Sequence, residues 1–164
     1  MITLITGGAR SGKTRYALEV PERTEPCTYI ATAELLDDEM RQRAAKHRTE
    51  RGSRWNTIEE PFELAYRLVE LNGIVVVDCL TMWLSNWMLR DETQVDSQIE
   101  LLCSVLGKTA CSVRAITNEV GSSIVPDNAL ARRFRDWAGV MNQRVAAAAD
   151  TVYLMVSGIA MRIK

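Results

Sequence analysis

The sequence predicts an α/β fold in which a mostly parallel sheet is flanked by helices. Short apolar runs alternate with stretches of helical periodicity along the whole chain, and such alternation implies crossover connections and strands buried on both faces. The length, 164 residues, suits one compact domain spanning residues 1–164. There is no internal repeat, low-complexity tract or linker to divide it. A glycine-rich segment between the first strand and the first helix places the chemistry at the carboxyl edge of the sheet.

The elements follow in order. Residues 2–6 form an apolar run that reads as a short buried strand, and residues 15–20 read as a helix. A second strand is expected over residues 28–31. Residues 36–48 carry helical periodicity, with Leu36, Met40, Ala44 and His47 on one stripe and Asp37, Asp38 and Glu39 near the amino end. Residues 49–61 are the loosest stretch, with Gly52, Ser53 and several charges; they read either as a mobile loop or as an edge strand around residues 54–58. Helices are then expected over 62–71, 80–89, 98–107 and 130–149, and strands over 74–78, 113–117 and 151–156. A turn at Ser157-Gly158 leads to a final strand over 159–163.

Composition narrows the class. A hydrophobic content of 47% and a charged content of 25% are ordinary for a globular protein. The formal net charge is −1, with acidic residues interspersed among the arginines, so no broad basic field exists to hold a nucleic acid. No apolar run is long enough to cross a bilayer. The first strand begins at once, which predicts no signal peptide. Cys27, Cys79, Cys103 and Cys111 lack C-x-x-C spacing, so a zinc site is not expected and the predicted compartment is a reducing cytoplasm.

Gly7-Gly8-Ala9-Arg10-Ser11-Gly12-Lys13-Thr14 completes the pattern G-x-x-x-x-G-K-[ST], and it sits between strand and helix as that motif requires. The glycines let the backbone curl so that successive N–H groups face a β-phosphate. Lys13 is expected to bridge the β- and γ-phosphates, and the Thr14 hydroxyl to hold Mg²⁺. These residues predict a nucleoside triphosphate site in a RecA-like domain of the P-loop NTPase type. Gly73-Ile74-Val75-Val76-Val77-Asp78 supplies the second half, an apolar strand ending in a carboxylate. Placed beside the first strand, Asp78 would reach the metal; taken alone, it is a turn residue or helix cap.

Two features stay open on spacing alone. Trp83 and Trp87 share a helical face and serve either as core or as a platform for a subunit or bulky substrate. His47, the single histidine, is either a boundary residue of its helix or a nucleophile available as neutral imidazole near pH 7.

The whole series resembles the bifunctional adenosylcobinamide kinase/adenosylcobinamide-phosphate guanylyltransferases of cobalamin synthesis. The resemblance runs through the phosphate loop, Tyr29-Ile30-Ala31-Thr32, Asp37-Asp38-Glu39-Met40 leading to His47, and Thr117-Asn118-Glu119-Val120-Gly121. It continues through Ile124-Val125-Pro126, Phe134-Arg135-Asp136, Asn142-Gln143-Arg144 and Val156-Ser157-Gly158-Ile159. It implies phosphorylation of adenosylcobinamide by ATP or GTP, then transfer of GMP from GTP through a guanylylated histidine, which His47 matches by position. It further implies nucleotide contacts from Thr32, Ala33, Glu34, Arg48, Thr49, Glu50, Arg51, Glu59 and Asp78, and a homotrimer. Thr14 stands in place of serine, and Asp78 where some relatives carry glutamate. The alternatives are a phosphate-loop kinase of another alcohol, which leaves His47 structural, and a GTP switch; the N-K-x-D segment common in such switches is absent, Asn118-Glu119-Val120-Gly121 being different.

Overall fold

The computed structural model describes residues 1–19, 25–34 and 53–164. Its strands are β1 (Ile2–Gly7), β2 (Cys27–Ala31), β3 (Trp55–Glu59), β4 (Ile74–Asp78), β5 (Ser112–Ile116), β6 (Thr151–Val156) and β7 (Ile159–Arg162). The helices are α1 (Lys13–Leu18), α2 (Leu64–Glu70), α3 (Leu80–Asp91), α4 (Val95–Leu106) and α5 (Ala129–Ala148). All seven strands join one sheet in the order β3-β2-β4-β5-β1-β6-β7. Every pairing is parallel except β6 with β7.

β1 and β4 are apolar runs because both faces of the sheet are covered. Alternate side chains sort to opposite faces. Val75 and Val77 join Leu4, Ile30, Val113 and Val152 in a core shared with the buried residues of α2 to α5. Ile74 and Val76 join Ile5, Tyr29, Ile116 and Met155 beneath Ala17 of α1. In α3, Leu80, Trp83, Leu84, Trp87 and Met88 are buried, the offsets of one helical stripe. Both tryptophans are therefore core, and their indole N–H groups each donate to Phe62 O, at 2.8 and 3.2 Å. In α5, Asn128 caps the amino end, its Oδ1 accepting from the Leu130 and Ala131 amides.

Element types match the expectations wherever the structure describes the residues. Of the two readings for residues 49–61, the described part realises the edge strand, β3, paired with β2. The expected helix over 36–48, with His47, lies outside the described residues, as do residues 20 and 49–52. One expectation is corrected: β4 does not lie beside β1. It pairs with β2 and β5, and β5 stands between it and β1. Two similarly apolar strands can exchange places in a parallel sheet without changing their own sequence pattern, so strand order is a matter of packing. Among the described residues no helix is long and apolar enough to cross a membrane.

Candidate functional site

β1 ends at Gly7 with φ at +146°, and a Cβ added there would stand 2.5 Å from the Met155 carbonyl of β6. Only glycine lets the chain leave the sheet so close to its neighbour. The loop then passes Arg10, left-handed at φ 55°, and enters α1 at Lys13. The turn after β6 braces it from outside, the Gly158 amide donating to Ser11 O at 3.0 Å.

Lys13 is only 7% exposed, so its ammonium needs internal partners. It donates to Gly7 O at 3.0 Å and to Gly8 O at 2.6 Å. Burial lowers its pKa, and neighbouring Cys79 and Asp78 act in the opposite direction. Ser11 Oγ is buried in the loop with no hydrogen-bond partner among the described residues. A phosphate oxygen entering the loop would give it one.

The loop faces a cavity of about 440 Å³, bounded on the other side by Asp78, Cys79, Ile116 and Asn118. Thr14 Oγ1 donates to Asp78 Oδ2 at 2.8 Å, across 64 residues of sequence. The same carboxylate oxygen accepts from the Tyr29 hydroxyl at 2.7 Å. A hydroxyl and a carboxylate are hard oxygen donors, the set that suits Mg²⁺, so these residues fit the ion that the motif implies. Next in the chain, Cys79 exchanges two hydrogen bonds with Thr32: its amide donates to Thr32 Oγ1 at 2.8 Å, and that hydroxyl donates to Cys79 O at 2.7 Å. Burial pushes the Cys79 thiol upward in pKa, with the Asp78 charge adding to the effect.

The structure thus brings together Gly7, Gly8, Ala9, Arg10, Ser11, Gly12, Lys13, Thr14 and Asp78. Thr32 is fully buried, its hydroxyl committed to Cys79 and its carbonyl to the Asn86 amide at 2.7 Å. Ala33 and Glu34 follow it beyond β2, which is separated from β1 by β4 and β5. Glu59 ends the outermost strand β3, four strand spacings or about 19 Å from β1. It is not brought to the loop. His47, Arg48, Thr49, Glu50 and Arg51 lie outside the described residues. Tyr29 and Asn118 border the site without having been singled out by local chemistry. Both stand in segments that carry the family resemblance, and Asn118 also closely follows an apolar strand.

Comparison with known proteins agrees with this geometry. A family model described as cobinamide kinase / cobinamide phosphate guanyltransferase matches residues 3–163. The chain is 39% identical to the bifunctional adenosylcobalamin biosynthesis protein CobU of Escherichia coli (strain K12), with 100% of both chains covered. It is 41% identical to the bifunctional adenosylcobalamin biosynthesis protein CobP of Pseudomonas aeruginosa, covering 100% of this chain and 98% of the other. Among solved structures, a Pyrococcus horikoshii OT3 protein shares the fold at a TM-score of 0.58 and 9% identity, over 99% of this chain and 85% of that one. An ATPase of a bacterial type III secretion system does so at 0.51 and 13%, over 93% of this chain and 50% of that one. A full-length match of sequence, on a sheet whose carboxyl edge carries the phosphate loop, means that this chain belongs to the cobinamide kinase/cobinamide phosphate guanyltransferase family.

Proposed function

We propose that the chain phosphorylates the terminal hydroxyl of the aminopropanol arm of adenosylcobinamide with ATP or GTP, and then converts the phosphate to adenosylcobinamide-GDP with GMP drawn from GTP. The observation that carries the nucleotide chemistry is the meeting of Thr14 and Asp78 at 2.8 Å beside the buried ammonium of Lys13. Family membership carries the corrinoid substrate and the pairing of two activities.

In the first reaction, the substrate hydroxyl oxygen attacks the γ-phosphorus, its proton is released to solvent, and the bond to the β-phosphate oxygen breaks. Loop amides and Lys13 neutralise charge on the leaving diphosphate. In the second, a neutral imidazole nitrogen of His47 attacks the α-phosphorus of GTP; a nitrogen–phosphorus bond forms and pyrophosphate leaves. An oxygen of the corrinoid phosphate then displaces the imidazole, taking GMP. Thr14 and Asp78 would hold Mg²⁺, which supplies further charge neutralisation on the phosphates. The role of His47 rests on its place in the sequence pattern. So do the nucleotide contacts of Thr32, Ala33, Glu34, Glu59 and residues 48–51; the homotrimer rests on the family resemblance, and the cytoplasmic location on the spacing of the cysteines. The chain acts as a single catalytic domain over residues 1–164.

Incubation with α-labelled GTP and Mg²⁺ tests the reading. Label is expected to become covalently attached to the wild-type protein, labile in acid and stable in base as for a nitrogen–phosphorus bond. His47→Ala should lose attachment and guanylyl transfer while retaining kinase activity. Label persisting in that variant removes His47 as nucleophile, since the chain has no other histidine. A wild-type protein that phosphorylates adenosylcobinamide without ever taking up label would be a kinase alone.

A further inference from the structure

β5 lies between the strand that carries the phosphate loop and the strand that ends in Asp78. Its register sets Ile116 beside Ile5 on one side and beside Asp78 on the other. The chain just past its end therefore forms the floor between loop and carboxylate. Asn118 stands there and lines the cavity.

Its backbone is pinned on both sides. The Thr117 amide donates to Ile5 O at 2.9 Å and the Glu119 amide to Gly7 O at 3.2 Å, so the segment stays attached to the end of β1. From the opposite side, Asn142 of α5 reaches down with both ends of its amide. Its Nδ2 donates to Asn118 O at 3.1 Å, and its Oδ1 accepts from the fully buried Thr117 hydroxyl at 2.7 Å. Asparagine is a weak helix former, so its place in the interior of a 20-residue helix finds its reason in this two-point hold. The Asn118 side chain is oriented in turn by a bond from Nδ2 to Thr81 Oγ1 at 2.8 Å. Its second N–H and its Oδ1 have no partner among the described residues.

We propose that Asn118 contacts the terminal phosphoryl group of the bound nucleotide and distinguishes triphosphate from diphosphate, with Asn142 as the residue that positions it. The inference rests on the nucleotide-site reading above. The loop amides wrap the β-phosphate, while Thr14 and Asp78 define the metal side of the β- and γ-phosphates. Asn118 borders the cavity with Asp78 rather than within the loop, so the group it meets is the one projecting past the loop. A neutral amide donates to that oxyanion without adding charge, and a pre-oriented donor loses little on engagement.

Calorimetric titration of purified proteins with GTP and with GDP, each with Mg²⁺, tests this. Asn118→Ala should lose about tenfold in GTP affinity and less than about twofold in GDP affinity, the effect of one hydrogen bond to a charged group. Asn118→Asp, which sets a carboxylate against the terminal phosphate, should widen the gap; should the alanine variant not fold, this one carries the same readout. Asn142→Ala should shift the GTP-to-GDP ratio in the same direction by a smaller factor, which a purely structural asparagine would not do. Equal losses for both nucleotides, or none for either, would overturn the assignment. Lys13→Ala runs beside them as the control on the site itself: GTP bound as tightly as by wild type would remove the phosphate-loop reading, a failure independent of any Asn118 result.

Discussion

Lys13 and Asp78 face the same cavity with opposite charges, and each permits a direct test. On the proposed single-site reading, Lys13→Ala should abolish both activities, because one ammonium would serve the triphosphate in either reaction and developing charge would otherwise be left exposed; steady-state kinetics of each reaction on the folded variant checks it. Burial lowers the Lys13 pKa below 10.5, so the folded chain surrenders that proton at a lower pH than an ordinary lysine does. Anion binding requires the protonated form, hence GTP affinity should fall on the alkaline side before pH 10.5, and Lys13→Arg should move the fall upward. Asp78→Asn retains a hydrogen-bond acceptor for Thr14 and Tyr29 but loses the charge. It should raise the Mg²⁺ concentration needed for half-maximal activity in both reactions, with unfolding temperature little changed; unaltered magnesium titrations would return Asp78 to a purely local turn role. These two residues were legible in the sequence because each belongs to a contiguous pattern. Tyr29 was not: its bond to Asp78 spans 49 positions, and an aromatic residue in an apolar strand carries no local sign of it.

Element boundaries show where local chemistry overrides periodicity. The helix expected from residue 62 begins at Leu64; just before it, the Phe62 and Glu63 amides donate to the Glu60 carboxylate at 3.2 and 2.9 Å. Glu60 also accepts from Arg67 Nε at 3.0 Å, one turn into α2. Burial alone would raise the Glu60 pKa; the bonds from Glu63, Arg67 and Phe62 outweigh it and hold the carboxyl below its ordinary value. A depressed acid stabilises the fold above its unfolded pKa, and that contribution is lost as pH falls through the folded value. Glu60→Gln keeps an acceptor but gives up the charge, and should therefore destabilise the protein at neutral pH by about 1 kcal/mol, the order of the difference between a hydrogen bond to a charged group and one to a neutral group. The difference from wild type should shrink as pH is lowered below 4.5. Thermal unfolding at pH 7 and pH 3.5 measures it, and a gap independent of pH would assign Glu60 a packing role only. At the other end of the chain, the two-residue turn was readable from Ser157-Gly158. Both residues have positive φ, 50° and 83°, the geometry of a tight hairpin between β6 and β7.

At the scale of the whole molecule, that hairpin does more than reverse the chain. The Gly158 amide holds Ser11 O, Arg15 Nη2 reaches Gly158 O at 3.4 Å, and a Cβ on Gly12 would lie 3.3 Å from Gly158 Cα. The last two strands thus support the loop formed by the first residues. Gly158→Ala would place a Cβ on a left-handed backbone, at a strain of about 1 kcal/mol. It should lower the unfolding temperature and weaken nucleotide binding together. Binding that stays at the wild-type level while the protein is destabilised would separate the hairpin from the loop.

What the sequence determined by itself was everything that depends on near neighbours. The α/β class follows from alternating apolar periods, the phosphate loop from eight consecutive residues, the Walker-type strand from an apolar run ending in Asp78, and the family from ordered motifs along nearly the whole chain. The tertiary structure decided what depends on which elements meet. It placed β5 rather than β4 beside β1, and so set Asn118 on the floor of the cavity. It put Trp83 and Trp87 in the core, since a tryptophan pair at helical spacing suits a buried face and a docking face equally well. It set Glu59 at the end of the outermost strand, four strands away from β1. Side-chain type and spacing specify which face of a strand is buried; they do not specify the order in which equally apolar parallel strands pair, because backbone hydrogen bonding is the same for each choice. That order emerges only when all the helices and strands pack at once.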